Sequence, residues 1–412
     1  MTGKSPMRLG INRPISKNQK LGLPLNQTIL PEYLARAGYQ SLMVGKWHLG
    51  HASPEYLPNA RGFEYFYGHI MGGIGYWDHN HGGGHDWQRN GTTIREKSYS
   101  THLMADDAIR VVRDRDRTRP TFLYLAFNAP HLPNEAPAES VNRYDSIRDD
   151  NRRIHAAMVS ELDSAIGRVL DAYRSEGMLD NTLVFFSSDN GGLSPTTPPP
   201  GLRKFAEMMT SIFGRPVPTR SLEFLVSNVL DGASDNAPLP GGKGSVAEGG
   251  SRVPAAIWWP GRLEGGSHEE FMTMSDVLPT LLDAIGAAEM KPTNLDGRSH
   301  WRALFGDPAN AEIPDYVTSG LDGMALYRAP WKLVSPETPR LYHIYDDPFE
   351  ERDLAGEHPE LVRALVTAAE AWPRGVDLGE PMLKILLDPD SFGGPEDRDS
   401  WAEAARGHAA VN

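Results

Sequence analysis

Strand-length apolar runs alternate with amphipathic helical stretches along most of this chain, and that alternation restricts its fold more than any other feature. A helix is predicted near residues 28–37, with Thr28 as its cap, Leu30, Tyr33, Leu34 and Ala37 at helical spacing, and Gly38 as its stop. Gln40 to Val44 reads as a strand, residues 101–113 as a helix (Leu103, Ile109, Val112) and Thr121 to Phe127 as a second strand. A long helix carrying Met158, Leu162, Ile166, Val169, Leu170 and Tyr173 stops at Gly177, and Leu183 to Phe186 reads as a buried strand. Strand Val253 to Trp259 and helix Asp276 to Ile285 continue the rhythm. The expected fold is α/β, with a mostly parallel central sheet flanked by helices.

Two stretches depart from this pattern. Residues 193–239, opened by Pro195, Pro198, Pro199 and Pro200, read as an insertion that packs on itself or forms a lid or subunit contact. After about residue 312 come short strand candidates at 324–327, 331–334 and 340–344, a helix from Pro359 to Trp372 and a Pro/Gly/Asp-rich tail. The expected division is a larger domain at 1–312 and a C-terminal antiparallel-sheet-plus-helix subdomain with tail at 313–412.

Forty-one basic against 54 acidic residues give a formal charge of −13, which argues against a general partner of nucleic acid or anionic membrane. No run approaches the ~20 apolar residues of a membrane span. Cysteine is absent, which excludes disulfides, thiolate-bound zinc and a thiol-derived nucleophile within these residues. The start, Met1 to Pro6, lacks the apolar stretch of a signal peptide.

Chemistry-bearing residues gather where the predicted strands end, the place where ligands sit in α/β sheets. The first string is Gly45-Lys46-Trp47-His48-Leu49-Gly50. Lys46 and His48, alternate residues of an extended segment, can reach one site and suit a tetrahedral oxyanion. The second, Ala129-Pro130-His131-Leu132-Pro133, mounts His131 on a stiff loop suited to a general acid. The third, Ser187 to Gly192, offers Asp189 and Asn190 as hard oxygen ligands for Ca²⁺ or Mg²⁺, although calcium takes about 6–8 such ligands. Lys243 stands on a Gly-rich turn able to hold a phosphate-like group. Trp77 and His79 belong to an aromatic, His-rich loop that reads as a substrate rim, where indole faces stack on sugar rings; its spacing fits no standard zinc pattern. Each string also has a plain reading as a capped strand end or surface turn.

In this order and spacing, the strings resemble the type I sulfatases of the alkaline-phosphatase superfamily, most closely the arylsulfatase B and N-acetylgalactosamine-sulfatase branch. Arg61-Gly62-Phe63, Arg252-Val253-Pro254, Ser275-Asp276 and the stretch from Leu341-Tyr342 to Asp347-Pro348 add to the resemblance, which runs from Met1 to about Leu361. It implies hydrolysis of sulfated carbohydrate or aryl sulfate esters, with small-molecule or oligosaccharide sulfate esters as partners. It also implies a calcium ion held in part by Asp189 and Asn190, sulfate binding by Lys46 and Lys243, and protonation of the leaving alcohol by His131. His48 would assist sulfate release from a hydrated formylglycine nucleophile.

That nucleophile is made from a Cys/Ser-x-Pro-Ser/Ala-Arg signature. Here Thr2-Gly3-Lys4 looks like the segment that follows it, so the signature and an upstream Asp pair are expected before Met1. Lys4-Ser5-Pro6-Met7-Arg8 imitates the spacing but puts Lys at the nucleophile position. The chain as written is therefore expected to be inactive or impaired. The other readings are a phosphodiesterase or phosphonate monoester hydrolase on the same fold, and a non-catalytic protein that binds sulfated glycans. The family implies a periplasmic, secreted or lysosomal location.

Overall fold

The computed structural model describes residues 1–17, 19–81, 84–195, 232–307 and 313–376. Most of the 193–239 insertion and the tail after 376 lie outside the described residues. The chain falls into two compact units. One takes in Arg13–Gly177; the other joins Met1–Asn12, Met178–Ser194 and the described residues from Asp235 on.

In the unit built from Arg13–Gly177, helix α1 (Leu30–Arg36) leads into strand β1 (Gln40–Lys46). The expected cap at Thr28 is displaced by one residue. Ile29 occupies the N-cap, and its N–H donates to Glu32 Oε2 at 2.7 Å, so the first-turn carboxylate supplies the missing partner. Gly38, at φ +84°, closes the helix as expected.

Strand β2 (Tyr65–His69) lies parallel to β1 on one side, and β7 (Thr121–Ala126) lies parallel to it on the other. Between β2 and β7 in sequence run four two-residue strands: β3 (Asn80–His81), β4 (Gly84–His85), β5 (Gln88–Arg89) and β6 (Thr92–Thr93). The sheet order is β6-β5-β2-β1-β7, with β5 and β6 antiparallel. The central strand β1 is apolar on both faces because both are covered: Met43 and Val44 are fully buried, and helix α2 (Ser100–Asp114) packs over β1 and β2. Helix α4 (Asp150–Ser175) covers α2 in turn; Asp149 caps it by accepting from the Arg152 amide at 2.8 Å, and Gly177 at φ +68° follows its end. The short α3 (Ala138–Asn142) precedes it.

In the other unit, β8 (Val184–Ser187) pairs with β9 (Ala255–Trp258), reached through the one-turn helix α5 (Glu248–Ser251). The pairing is antiparallel rather than parallel, and Phe186 and Trp258 remain about 40% exposed. After α6 (Val277–Ala284) comes the antiparallel sheet β10-β11-β12-β13, formed by Tyr316–Gly320, Gly323–Arg328, Trp331–Val334 and Arg340–His343. Helix α7 (Pro359–Ala371) presses Leu365 and Ala369 onto Val317, Leu326, Leu333 and Leu341, all fully enclosed.

This unit also buries a charge. Lys332 Nζ lies 2.9 Å from Glu248 Oε1 and 2.7 Å from Glu350 Oε1, and its side chain is fully enclosed. Burial alone would favour the neutral amine, but Tyr327, Glu248 and Glu350 raise its pKa instead. Lys332→Ala would leave two enclosed carboxylates uncompensated, an expected loss of ~3–5 kcal/mol in urea unfolding. Arg363→Ala, which breaks an exposed pair with Glu360, should cost less than about 0.5 kcal/mol in the same assay. Equal losses would mean that Lys332 is not the anchor its geometry indicates.

Candidate functional site

Three of the sequence candidates, Lys46, His48 and His131, stand in the Arg13–Gly177 unit, and the backbone explains how two strand ends carry them. Gly45 sits at φ +113°, and a Cβ there would lie 2.0 Å from the Ala126 carbonyl oxygen, so only glycine lets β1 approach β7 this closely. Pairing continues past the strand: the Trp47 amide donates to His69 O at 3.0 Å and the His48 amide to Ile70 O at 2.8 Å. His48 itself adopts φ +53°, an uncommon conformation for a side-chain-bearing residue, and its Nε2 meets Ile15 O at 3.0 Å.

His131 follows β7. Its amide donates to Asn128 O at 2.7 Å, its Nδ1 lies 2.8 Å from Leu132 O, and Tyr76 Oη donates to its carbonyl at 2.8 Å. With Nδ1–H donated to the Leu132 carbonyl, Nε2 is the acceptor nitrogen of the neutral ring.

One loop joins these histidines. A Cβ on Gly72 would lie 2.5 Å from His48 Cε1, and one on Gly73 would lie 2.8 Å from His131 Cε1 and Nδ1. The two rings therefore flank adjacent glycines of the loop after β2. His81 Nδ1 contacts the Gly73 carbonyl at 2.7 Å, and His69 Nδ1 the Met71 carbonyl at 2.9 Å. His51 Nε2 reaches Lys17 O at 2.7 Å. His69, His51 and Lys17 are not among the sequence candidates, while His81 belongs to the His-rich loop read as a substrate rim. The signal for His69 was present: Gly68-His69 ends β2 as Gly45-Lys46 ends β1, and Lys46 pairs with His69 in the register.

Burial, and next Lys46, push the His48 pKa down to about 3, while the Ile15 carbonyl opposes the shift. Burial lowers His81 to about 4 against the pull of Gly73 O, with His51, Lys17 and Lys46 adding to the fall. His69 is driven well below its usual range by the same two causes, burial and Lys46. The rings are thus neutral at pH 7, and lysines carry the positive charge.

Of the two rim candidates, Trp77 is 48% exposed and leans on the Tyr99 ring at 5.2 Å. His79 is not at a rim. It is fully buried, stacked on Trp87 at 4.6 Å, with Nε2 3.0 Å from Ser98 O, because the hairpin after it folds back over the ring.

Asp189, Asn190 and Lys243 stand together in the other unit. Asp189 and Asn190 turn just beyond β8, where Ser188 Oγ donates to Asn190 O at 2.9 Å and Asn190 Nδ2 to Gly191 O at 2.8 Å. Glycine is required at 191, since a Cβ would fall 1.8 Å from Gly249 O. The Gly191 amide donates to Gly250 O at 2.9 Å and the Lys243 amide to Gly192 O at 3.0 Å, so the Lys243 turn is laced to the Asp189 turn. Asn236 adds a tie, accepting from the Gly192 amide at 2.9 Å. Lys243 is exposed along its length, yet protein atoms crowding its ammonium lower its pKa and the Asp189 carboxylate opposes the fall. A carboxylate and an amide oxygen are the hard donors that calcium takes, and they fit part of such a site.

The family model for sulfatases matches residues 1–287. This chain belongs to the sulfatase family. It is 30% identical to the uncharacterized sulfatase YdeN of Escherichia coli (strain K12), over 73% of this chain and 50% of that protein. It is 28% identical to the N-acetylgalactosamine-6-sulfatase of Homo sapiens, over 74% of this chain and 57% of the relative. The chain thus spans about half the length of these relatives. Among solved structures, Ps i-CgsB in complex with k-i-k-neocarrahexaose matches with a TM-score of 0.76 and 26% identity, covering 92% of this chain and 81% of that one. The α/β sulfatase fold with its C-terminal antiparallel sheet agrees with the sequence expectation.

Enclosed neutral histidines make a pH prediction. A ring with a folded pKa near 3 or 4 and an unfolded value near 6.5 takes up its proton only on unfolding between those limits, so stability is complete above pH ~6.5 and falls on acidification. From pH 6.5 to 5, urea titrations should show a loss of up to ~2 kcal/mol for each of His48 and His81. His81→Asn should flatten that dependence. A stability independent of pH across this range would contradict the buried placement.

Proposed function

We propose that this chain carries the anion-binding and proton-donating part of a sulfuric ester hydrolase site that acts on sulfated carbohydrate or aryl sulfate esters. The observation that carries the proposal is the flanking of Gly72-Gly73 by the His48 and His131 rings, with Lys46 close enough to act on His48. There, imidazoles and a lysine offer hydrogen bonds and positive charge to a tetrahedral oxyanion. Membership of the sulfatase family supplies the sulfate. The sulfated-sugar enzymes among its relatives favour a carbohydrate over a simple aryl ester.

On this reading, Lys46 neutralises sulfate oxygens. His131 is the residue that would supply a proton to the alcohol oxygen of the ester. His48, its Nε2–H engaged with Ile15 O, presents Nδ1 as an acceptor. In the other unit, Asp189 and Asn190 would hold calcium, with Lys243 beside them to meet an anion's charge. The sequence has no Cys and no Cys/Ser-x-Pro-Ser/Ala-Arg string, so no residue in it fits the formylglycine.

Ligand binding is therefore the direct test. Calorimetry with a sulfated galactosamine should give saturable binding that inorganic sulfate competes away. Lys46→Ala should weaken it at least ~10-fold, the loss of about 1.4 kcal/mol of charge-assisted contact. Preference for an aryl phosphodiester over the sulfated sugar, or binding indifferent to Lys46→Ala, would overturn the proposal.

A further inference from the structure

The unit that bears Asp189 also holds a cluster that the sulfate chemistry does not use. His268 and Glu270 lie on the segment between β9 and α6, and His300 lies before the short turn at Ala303–Phe305. His268 Nε2 stands 3.1 Å from His300 Nδ1, and His300 Nδ1 stands 3.6 Å from Glu270 Oε2. One donor atom from each of the three lies within 4.8 Å of the others. Ligands ~2.0–2.1 Å from a tetrahedral ion are about 3.3 Å from one another, between the 3.1 and 3.6 Å that separate His300 Nδ1 from His268 and Glu270.

The surroundings support the same conclusion. The His300 side chain is fully enclosed. Its Nε2 has no hydrogen-bond partner among the described residues and lies 3.6 Å from Asp276 Oδ2. That carboxylate is itself fixed, accepting from the Thr273 amide at 2.5 Å through Oδ2 and from the Arg298 amide at 2.7 Å through Oδ1. A histidine that ligates a metal through one nitrogen usually turns the other toward a carboxylate, and the ligating carboxylates are usually hydrogen-bonded as well. Glu270 meets the second condition, since Arg298 Nη2 donates to its Oε2 at 2.6 Å. Two imidazoles and one carboxylate, which water would complete as a fourth ligand, are a zinc donor set rather than a calcium one.

We propose that His268, Glu270 and His300 form a zinc site, separate from the Asp189–Asn190 pair and outside the sulfate chemistry. The ion would clip the segment after β9 to the segment before Ala303, two stretches otherwise joined by side-chain contacts such as Arg298–Glu270. His268 is exposed, which gives the ion a way in from solvent.

The test uses the full chain stripped with chelator, titrated with ZnCl₂ by calorimetry and with CoCl₂ by visible absorption. The expected result is one equivalent bound, a tetrahedral cobalt spectrum and a raised melting temperature, none of it suppressed by excess CaCl₂. His268→Ala, a surface change that should leave folding intact, and Glu270→Gln should each weaken zinc at least ~10-fold. Binding of the sulfated sugar should survive His268→Ala, which separates this site from the anion site. If no zinc binds, or if zinc binds equally well to wild type and His268→Ala, the proposal is overturned.

Discussion

A Cβ on Gly45 would meet the Ala126 carbonyl at 2.0 Å, and one on Gly68 would meet the Gly45 carbonyl at 2.3 Å, so three parallel strands are drawn together by glycine just where they end. The register pairs Gly45 with both Gly68 and Ala126, and main-chain bonding persists through Trp47 and His48. With no slack in those strand ends, the residues that follow leave on fixed paths: Lys46 and His48 from β1, His69 from β2 and His131 from the loop after β7. The Gly72-Gly73 loop fits among them because it has no side chains of its own. Position in this unit is thus set by what is missing, a column of Cβ atoms. The histidines inherit it.

Electrostatics follows from that packing. Several imidazoles close to Lys46 could not all be charged without mutual repulsion, and burial already removes the water that would screen them. They resolve the conflict by remaining neutral, which leaves lysine as the source of field and imidazole as the source of directed hydrogen bonds. An arriving anion reverses part of the balance, since negative charge nearby raises imidazole proton affinity. Proton uptake and anion binding are then linked, and a ring that is neutral in the empty protein can become an acid when its ligand is in place.

Much of this was readable from sequence, and the failures have physical reasons. Long elements with strong periodicity, β1, β7 and α4, appeared where apolar spacing put them. The strand β10 was missed because Tyr316-Val317-Thr318-Ser319-Gly320 carries one fully buried residue, Val317, and so lacks a repeating signal. Thr28 was taken for a cap because its hydroxyl is a good one, yet the reach of Glu32 back to Ile29 decided the boundary. Arg61-Gly62-Phe63 helped to identify the family without revealing its use. Arg61 is buried and ties Glu32 to the carbonyls of Leu23 and Gln27, and Gly62 at φ +88° fits against Glu32, so the string is architectural. The His268–Glu270–His300 cluster could not have been found from spacing, because 30 residues separate its two arms.

An acidic chain that contacts an anion needs positive charge that the fold has not already consumed, and that is how its embedded cations can be sorted. Lys332 is held between Glu248 and Glu350, and Arg61 is spent on Glu32 and two carbonyls; neither has charge to lend. Lys243 differs. The carboxylate acting on it is Asp189, which on the proposed reading is also a calcium ligand. A cation on Asp189 would compensate that carboxylate and release the attraction it exerts on Lys243, leaving the ammonium to an anion. Metal and sulfate would then strengthen each other's binding by the same factor, as linkage requires. The lacing of the Lys243 turn to the Asp189 turn through Gly191, Gly192 and Asn236 keeps the two charges within reach for that exchange.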